Sequence, residues 1–256
     1  DTGATALHLN YNASSVIQNT GVKVLNASGF TGATFNNFVP STGNALVFQY
    51  GVVSTAVTDW QVASPNQIKF ETVPNSELAA TTKNTPLVVS SCAILDRLSS
   101  AKISSASKSG NTITLSTTGL SPSHVSSQLS VLRYVVHVYL IGKPSASEPV
   151  GFYRFELGLD GKWVGPQLLV KDVSSMALQF GYVKNCDTTE VFDFTNAIKT
   201  GANNDSPTLL RVRLNNNVVA AKGRSAIAAD AAAGNVGIYD IHATIRGGNV
   251  CADRSL

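Results

Sequence analysis

The sequence predicts an α+β fold that is mainly β, built from antiparallel sheets in a single domain. Three observations carry this expectation. Short words rich in β-branched and aromatic residues recur along the chain, several of them alternate with period two, and Gly, Pro and Asn punctuate them. Candidate helices are few, and strands at this spacing favour antiparallel packing.

Residues 1–42 are rich in Asn, Gly, Thr and Ser and read as an irregular N-terminal part. A short helix over 4–18 is weakened by Asn10, Asn12 and Ser14. The β-rich core runs over 43–246, and 247–256 is a tail. The first strand, 45–51 (ALVFQYG), sets Leu46, Phe48 and Tyr50 on one face. A second, 67–73, lies between Pro65-Asn66 and Pro74-Asn75. Strand 87–91 follows, and 92–98 reads as one helical turn. The turn 108–111 leads into 112–116, which alternates. Residues 129–141 form a long β-branched and aromatic run, too polar at Arg133 and His137 for a membrane helix. After a loop over 142–149, strand 152–157 meets Asp160-Gly161, a strong hairpin signal, with Trp163 beyond it. Strand character continues over 170–182 with a turn at Ser174-Ser175. Residues 187–207 are a polar excursion holding Val191-Phe-Asp-Phe194, 209–214 is a strand, 226–234 an Ala-rich connector and 237–246 the last strand. The expected core contains Leu46, Phe48, Val88, Val136, Val138, Phe155, Leu178, Phe180, Val212 and Ile241.

Charged residues make up 14% of the chain, well below the usual quarter, and Ser, Thr and Asn take their place. Such a surface is common on secreted proteins. The net charge of +3 is spread thinly, so the clustered Lys/Arg of a nucleic-acid binder is missing and no nucleic-acid partner is indicated. No apolar run approaches the ~20 residues that span a bilayer. The chain begins at Asp1 rather than Met and reads as processed or truncated.

Three cysteines, Cys92, Cys186 and Cys251, lie far apart without the spacing of a zinc site. In an oxidising compartment one disulfide is expected, Cys186–Cys251, because both lie in segments free to meet, while Cys92 closes an apolar strand and packs as a buried thiol. Connectivity does not follow from sequence, and three unpaired thiols in a reduced protein stay open as the alternative.

No nucleophile elbow, phosphate loop, dinucleotide fingerprint or paired metal-binding histidines occur, so neither catalysis nor a cofactor is expected. His8, His124, His137 and His242 are isolated, and the last two read as outward or satisfied strand residues. Asp160, Asp172, Asp187, Glu190 and Asp193 are the acidic residues to weigh for a cation, but the alternating spacing of a calcium loop is missing and a solvated loop is the better reading. Trp60, Trp163, Tyr50, Tyr153 and Tyr182 read as core or hairpin-edge residues before they read as a groove for sugar or peptide. The sequons at Asn12, Asn26 and Asn204 are no more than this composition yields by chance.

The strand words, in this order, resemble the PilW group of type IV minor pilins and, more distantly, the J-type pseudopilins of type II secretion. The segment 44–51 resembles an early D-x-L-x-V-x-Y-G strand. In 87–98, Cys92 and Asp96 keep the spacing of a V-S-D-C word, with Ser91 where Asp is common. Phe152-Tyr-Arg154 resembles L-Y-R, 168–182 the L-V-E-G-V-E-x-M-Q-x-x-Y-G stretch, 210–214 the V-x-V-R-I strand, and 241–246 the closing T-x-x-L-R. The family's N-terminal apolar helix has no counterpart here, and 183–190 lacks its Asp-rich run.

The resemblance implies a pilin-type globular domain lacking its N-terminal helix. It implies a structural role in the initiation of pilus assembly, at or near the pilus tip on the bacterial surface. Its partners would be other minor pilins and the major pilin, met through sheet edges and the loops 142–149 and 187–206. The full-length form would be anchored in the inner membrane, facing the periplasm. A secreted carbohydrate-binding β-sandwich, with Trp60 or Trp163 as a platform, and a coat-type β-domain are the alternatives.

Overall fold

The structure is a computed structural model that describes residues 21–61, 66–91, 94–98, 100–120, 129–185, 191–199, 207–216 and 238–244. Among the described residues it is mainly β, with 65% strand against 6% helix, and the helical part is confined to three 3-10 turns. The strands pair antiparallel, in one sheet of eleven strands and one of four. The chain divides into two compact units.

One unit holds Phe48–His137 and Glu156–Val164. Most of β3 (Asn44–Gln61) lies here, with β4 (Asn66–Glu71), β5 (Leu87–Ser91), β6 (Ile94–Leu98), β7 (Ile103–Ser109), β8 (Thr112–Thr117) and the first part of β9 (Ser130–Lys143). Alternation builds its core. Ile68 and Phe70 of β4 face Leu115 and Ile113 of β8 in register, and all four are fully buried. They pack with Leu78, Leu87, Val89, Leu98, Ile103 and Val131 in one cluster. Within 92–98, expected as a helical turn, Ile94–Leu98 instead form β6, which returns along β5 with Leu87 opposite Leu98. Pairing along a whole strand outweighs the weak helical preference of a few apolar residues.

The expected hairpin forms between β10 (Gly151–Leu157) and β11 (Trp163–Lys171), which are neighbours in the sheet. Its turn is longer than two residues, with the Gly158 N–H donating to the Lys162 carbonyl at 2.7 Å.

The other unit takes in Ser15–Val47, Val138–Phe155 and the chain from Gly165 on. Residues 21–42, expected to be irregular, carry β1 (Val22–Asn26), β2 (Val39–Pro40) and two 3-10 turns. They also supply an aromatic core. Phe35 and Phe38 meet Phe155 edge-on at centroid distances of 5.6 and 5.1 Å, Phe30 leans on Phe35, and Phe38 leans on Tyr153. Gly142 makes room for this core, since a Cβ there would lie 2.5 Å from the Phe38 ring.

The four-stranded sheet of this unit runs β13 (Val191–Thr195), β12 (Val173–Asn185), β14 (Leu209–Asn216), β15 (Ile238–Thr244). Leu178, Phe180, Tyr182, Leu210, Val212 and Leu214 fill its inner face.

Four further expectations need correction. Ala45, Val47 and Gln49 are the buried alternates of β3, while Phe48 is half-buried and Tyr50 is 43% exposed. Leu46 is buried as well, because both faces of β3 are covered at its start. Ile241 lies opposite Val212 but is 45% exposed, because β15 is the last strand of the sheet and nothing covers its outer flank among the described residues. The break expected at Ser174-Ser175 falls at Asp172, whose φ is 58°, and the serines continue the strand across a bulge. Part of the excursion 187–207 is the edge strand β13. Of the remaining expected core, Val88, Val136, Val138, Phe155, Leu178, Phe180 and Val212 are buried. The helix over 4–18 and the connector 226–234 lie outside the described residues.

Candidate functional site

The outer face of the four-stranded sheet follows from the alternation of β14. Leu210, Val212 and Leu214 turn inward, so Arg211 and Arg213 turn outward. Because β14 is an inner strand, each arginine has a neighbour on both sides. Arg211 stands between Gln179 of β12 and His242 of β15, and Arg213 stands between Ala177 and Asp240.

Asp240 is gripped by both arginines. Arg211 donates from Nε to Oδ1 at 3.2 Å and from Nη2 to Oδ2 at 2.8 Å, and Arg213 donates from the same two nitrogens at 3.3 and 3.1 Å. Hydrogen bonds from Arg211, then Arg213, hold the Asp240 carboxyl far below the usual carboxylate range, against a smaller opposing effect of burial. The same contact raises the Arg211 guanidinium above its ordinary value. Two positive charges share one negative charge, so the cluster keeps a positive balance.

Around it the contacts are longer. Arg211 Nη1 lies 3.4 Å from Gln179 Oε1, and Gln179 Nε2 lies 3.5 Å from Asn196 Oδ1. These groups line a half-open cavity of about 340 Å³, completed by Asn44, Met176, Ala177 and Leu178. Phe194 lies over Gly181 of the same face, where a Cβ would come within 3.0 Å of its ring, and it is 47% exposed.

Two other features stand out. The edge strand β11 shows both faces to solvent from Gly165 on, with Leu168 and Leu169 each about two-fifths exposed. In the first unit, Arg133 is buried and bridges Glu77 at 2.8 Å and Glu156 at 3.3 Å, while Glu156 also reaches His137 Nε2 at 3.3 Å. Tyr50 Oη lies 3.4 Å from His137 Nδ1. Arg133 joins two carboxylates from different elements, which makes this second cluster a structural tie.

Of the residues weighed from sequence, those that are described do not gather into one site. Cys92, Cys186 and Cys251, and with them the Cys186–Cys251 disulfide, lie outside the described residues, as do Asp187, Glu190, His8 and His124. Asp193 pairs with Lys199 at 3.1 Å, and Asp160 accepts from the Lys162 N–H in the hairpin turn. Among the described residues no three His, Cys, Asp or Glu side chains gather where they could hold a metal. Trp60 and Trp163 are half-buried and Tyr153 and Tyr182 buried, so neither tryptophan is an open platform. His242 is exposed, and His137 is a satisfied strand residue. Sequence reasoning missed Arg211, Arg213, Asp240 and Gln179. The Arg-x-Arg alternation signalled a shared face, but not that Asp240 would stand beside it. Compared with known proteins, the chain matches no family model, no curated protein and no solved structure.

Proposed function

We propose that the chain is a non-catalytic structural protein of the bacterial surface, a minor pilin of the PilW-like kind that takes part in initiating type IV pilus assembly at or near the tip. The observation that supports this reading most is the edge strand β11. It ends the hydrogen-bonded path of its sheet and leaves Leu168 and Leu169 exposed on opposite faces. Exposed apolar side chains on an edge strand are an aggregation hazard unless a partner covers them. Strand addition or lateral packing by another pilin subunit uses such an edge, with main-chain hydrogen bonds for affinity and side-chain pockets for register. The stretch that most resembles the family, 168–182, begins on this strand.

On this reading the partners are other minor pilins and the major pilin. An N-terminal apolar helix anchors the full-length form in the inner membrane and then packs in the filament. The loop 142–149 is the second contact. It is held locally by a Lys143 Nζ bond to the Ala146 carbonyl and a Glu148 N–H bond to the Ser145 carbonyl, and its tip is open to solvent.

The test places the chain behind a pilin-type helix in cells lacking the native protein. Filaments are expected to return with the parent chain and to be lost with Leu168→Lys/Leu169→Lys, a change that removes the apolar edge without touching the core. Normal piliation by that variant overturns β11 as the contact. Failure of the parent chain to restore filaments overturns the pilin reading. Deleting 187–206 is not a clean test, because it removes β13 from the sheet.

A further inference from the structure

We propose that the outer face of the four-stranded sheet binds an acidic sugar, a uronic or sialic acid unit, in the cavity lined by Asn44, Gln179, Asn196, Arg211 and Arg213. The volume of about 340 Å³ sits at the small end of ligand pockets and suits one sugar ring.

Charge calls for an anion. Arg211 and Arg213 face one carboxylate, Asp240, and each spends only Nε and Nη2 on it. Arg213 Nη1 has no hydrogen bond among the described residues, and Arg211 Nη1 has only the long contact to Gln179. A ligand carboxylate can take these donors without displacing Asp240. Asp240 meanwhile fixes both guanidinium planes, so little side-chain freedom is lost on binding.

The rest of the lining selects a polyhydroxylated ligand. Asn44, Gln179 and Asn196 each present a donor and an acceptor, the pairing that adjacent ring hydroxyls require. Asn44 and Asn196 make no strong side-chain bond among the described residues, since the only contact is the 3.5 Å approach of Gln179 to Asn196. Phe194, exposed on the same face, offers an apolar ring for the C–H side of a sugar. A peptide carboxylate would need the arginines alone, so the carboxamides and the ring favour the sugar. The proposal goes beyond the pilin reading and does not rest on it, because a minor pilin and a secreted binding module can equally carry such a site.

The experiment titrates the full chain with glucuronate, galacturonate, N-acetylneuraminate and neutral galactose, followed by NMR shifts or calorimetry. At least one acidic sugar is expected to bind about tenfold more tightly than galactose, and Arg213→Gln to lose about tenfold of that affinity. Phe194→Ala and Asn44→Ala are expected to weaken the acidic sugar as well, with far-UV circular dichroism unchanged. Asn44 is exposed at the start of its strand, so it carries the comparison if Arg213→Gln fails to fold. Absence of binding by every acidic sugar overturns the proposal, as does equal binding of galactose. So does a glutamate-containing peptide that binds as tightly as the best sugar and is indifferent to Asn44→Ala, which would make this a peptide-carboxylate site.

Discussion

Gly161 shows how much one position can be asked to do. Its φ is +74°, and a Cβ there would lie 2.7 Å from the Asn84 carbonyl oxygen. Backbone strain and a clash with main chain add, so Gly161→Ala is expected to destabilise the fold by about 1–2 kcal/mol, read from the urea midpoint. An unchanged midpoint would show that the turn relaxes freely. Asp240 makes a different prediction, in pH. Its carboxyl is depressed in the folded chain, so its contribution is fully present above the ordinary Asp range, near pH 4, and is lost as pH falls toward its folded value. The stability difference between the parent chain and Asp240→Asn should therefore be constant above about pH 5 and shrink below about pH 4. A difference that grows on acidification would reverse the sign and refute the clamp. Hairpin chemistry at Asp160-Gly161 was legible in the sequence, because turn residues act locally. The Asp240 clamp was not, because it depends on the register in which β14 and β15 pair.

At the scale of elements, pairing decided what local pattern left open. The strand β6 exists because β5 offers it an edge, and β7, a serine-rich segment with little apolar signal, exists because β8 does. The buried Arg133 ties two strands and a 3-10 turn together by reaching Glu77 and Glu156. Arg133→Ala is expected to cost about 2–3 kcal/mol in chemical denaturation, because it leaves carboxylates without their cation. Glu77→Ala should cost less than Arg133→Ala, since Glu77 is 43% exposed and water screens it. The reverse order would mean that Glu77 supports the fold through contacts other than this ion pair.

At the scale of the whole molecule, three of the exposed large hydrophobics among the described residues, Val164, Leu168 and Leu169, fall together on the edge strand β11. Leu168→Lys/Leu169→Lys should cost no more than about 1 kcal/mol in stability, because each side chain is two-fifths exposed and a lysine stem can keep the apolar contacts while its ammonium reaches water, yet slow aggregation on standing at high concentration. Light scattering checks the second part, and faster aggregation would remove β11 as the sticky edge.

The sequence by itself determined the mainly-β class, the position of most long strands and much of the core. These follow from period-two alternation and turn chemistry, which a strand carries within its own few residues. Val136, Val138, Phe155 and Phe180 were readable as interior for that reason. Only the tertiary structure decided that Phe30, Phe35 and Phe38, in a segment that reads as irregular, form an aromatic core, and that Ile241 lies half-open on an edge. It alone decided that Arg211, Arg213, Gln179 and Asn44 share a cavity and that Asp240 clamps both arginines. Burial depends on what covers a face, and a site depends on which strands become neighbours. Both are properties of long-range pairing, which leaves no mark in any short stretch of chain.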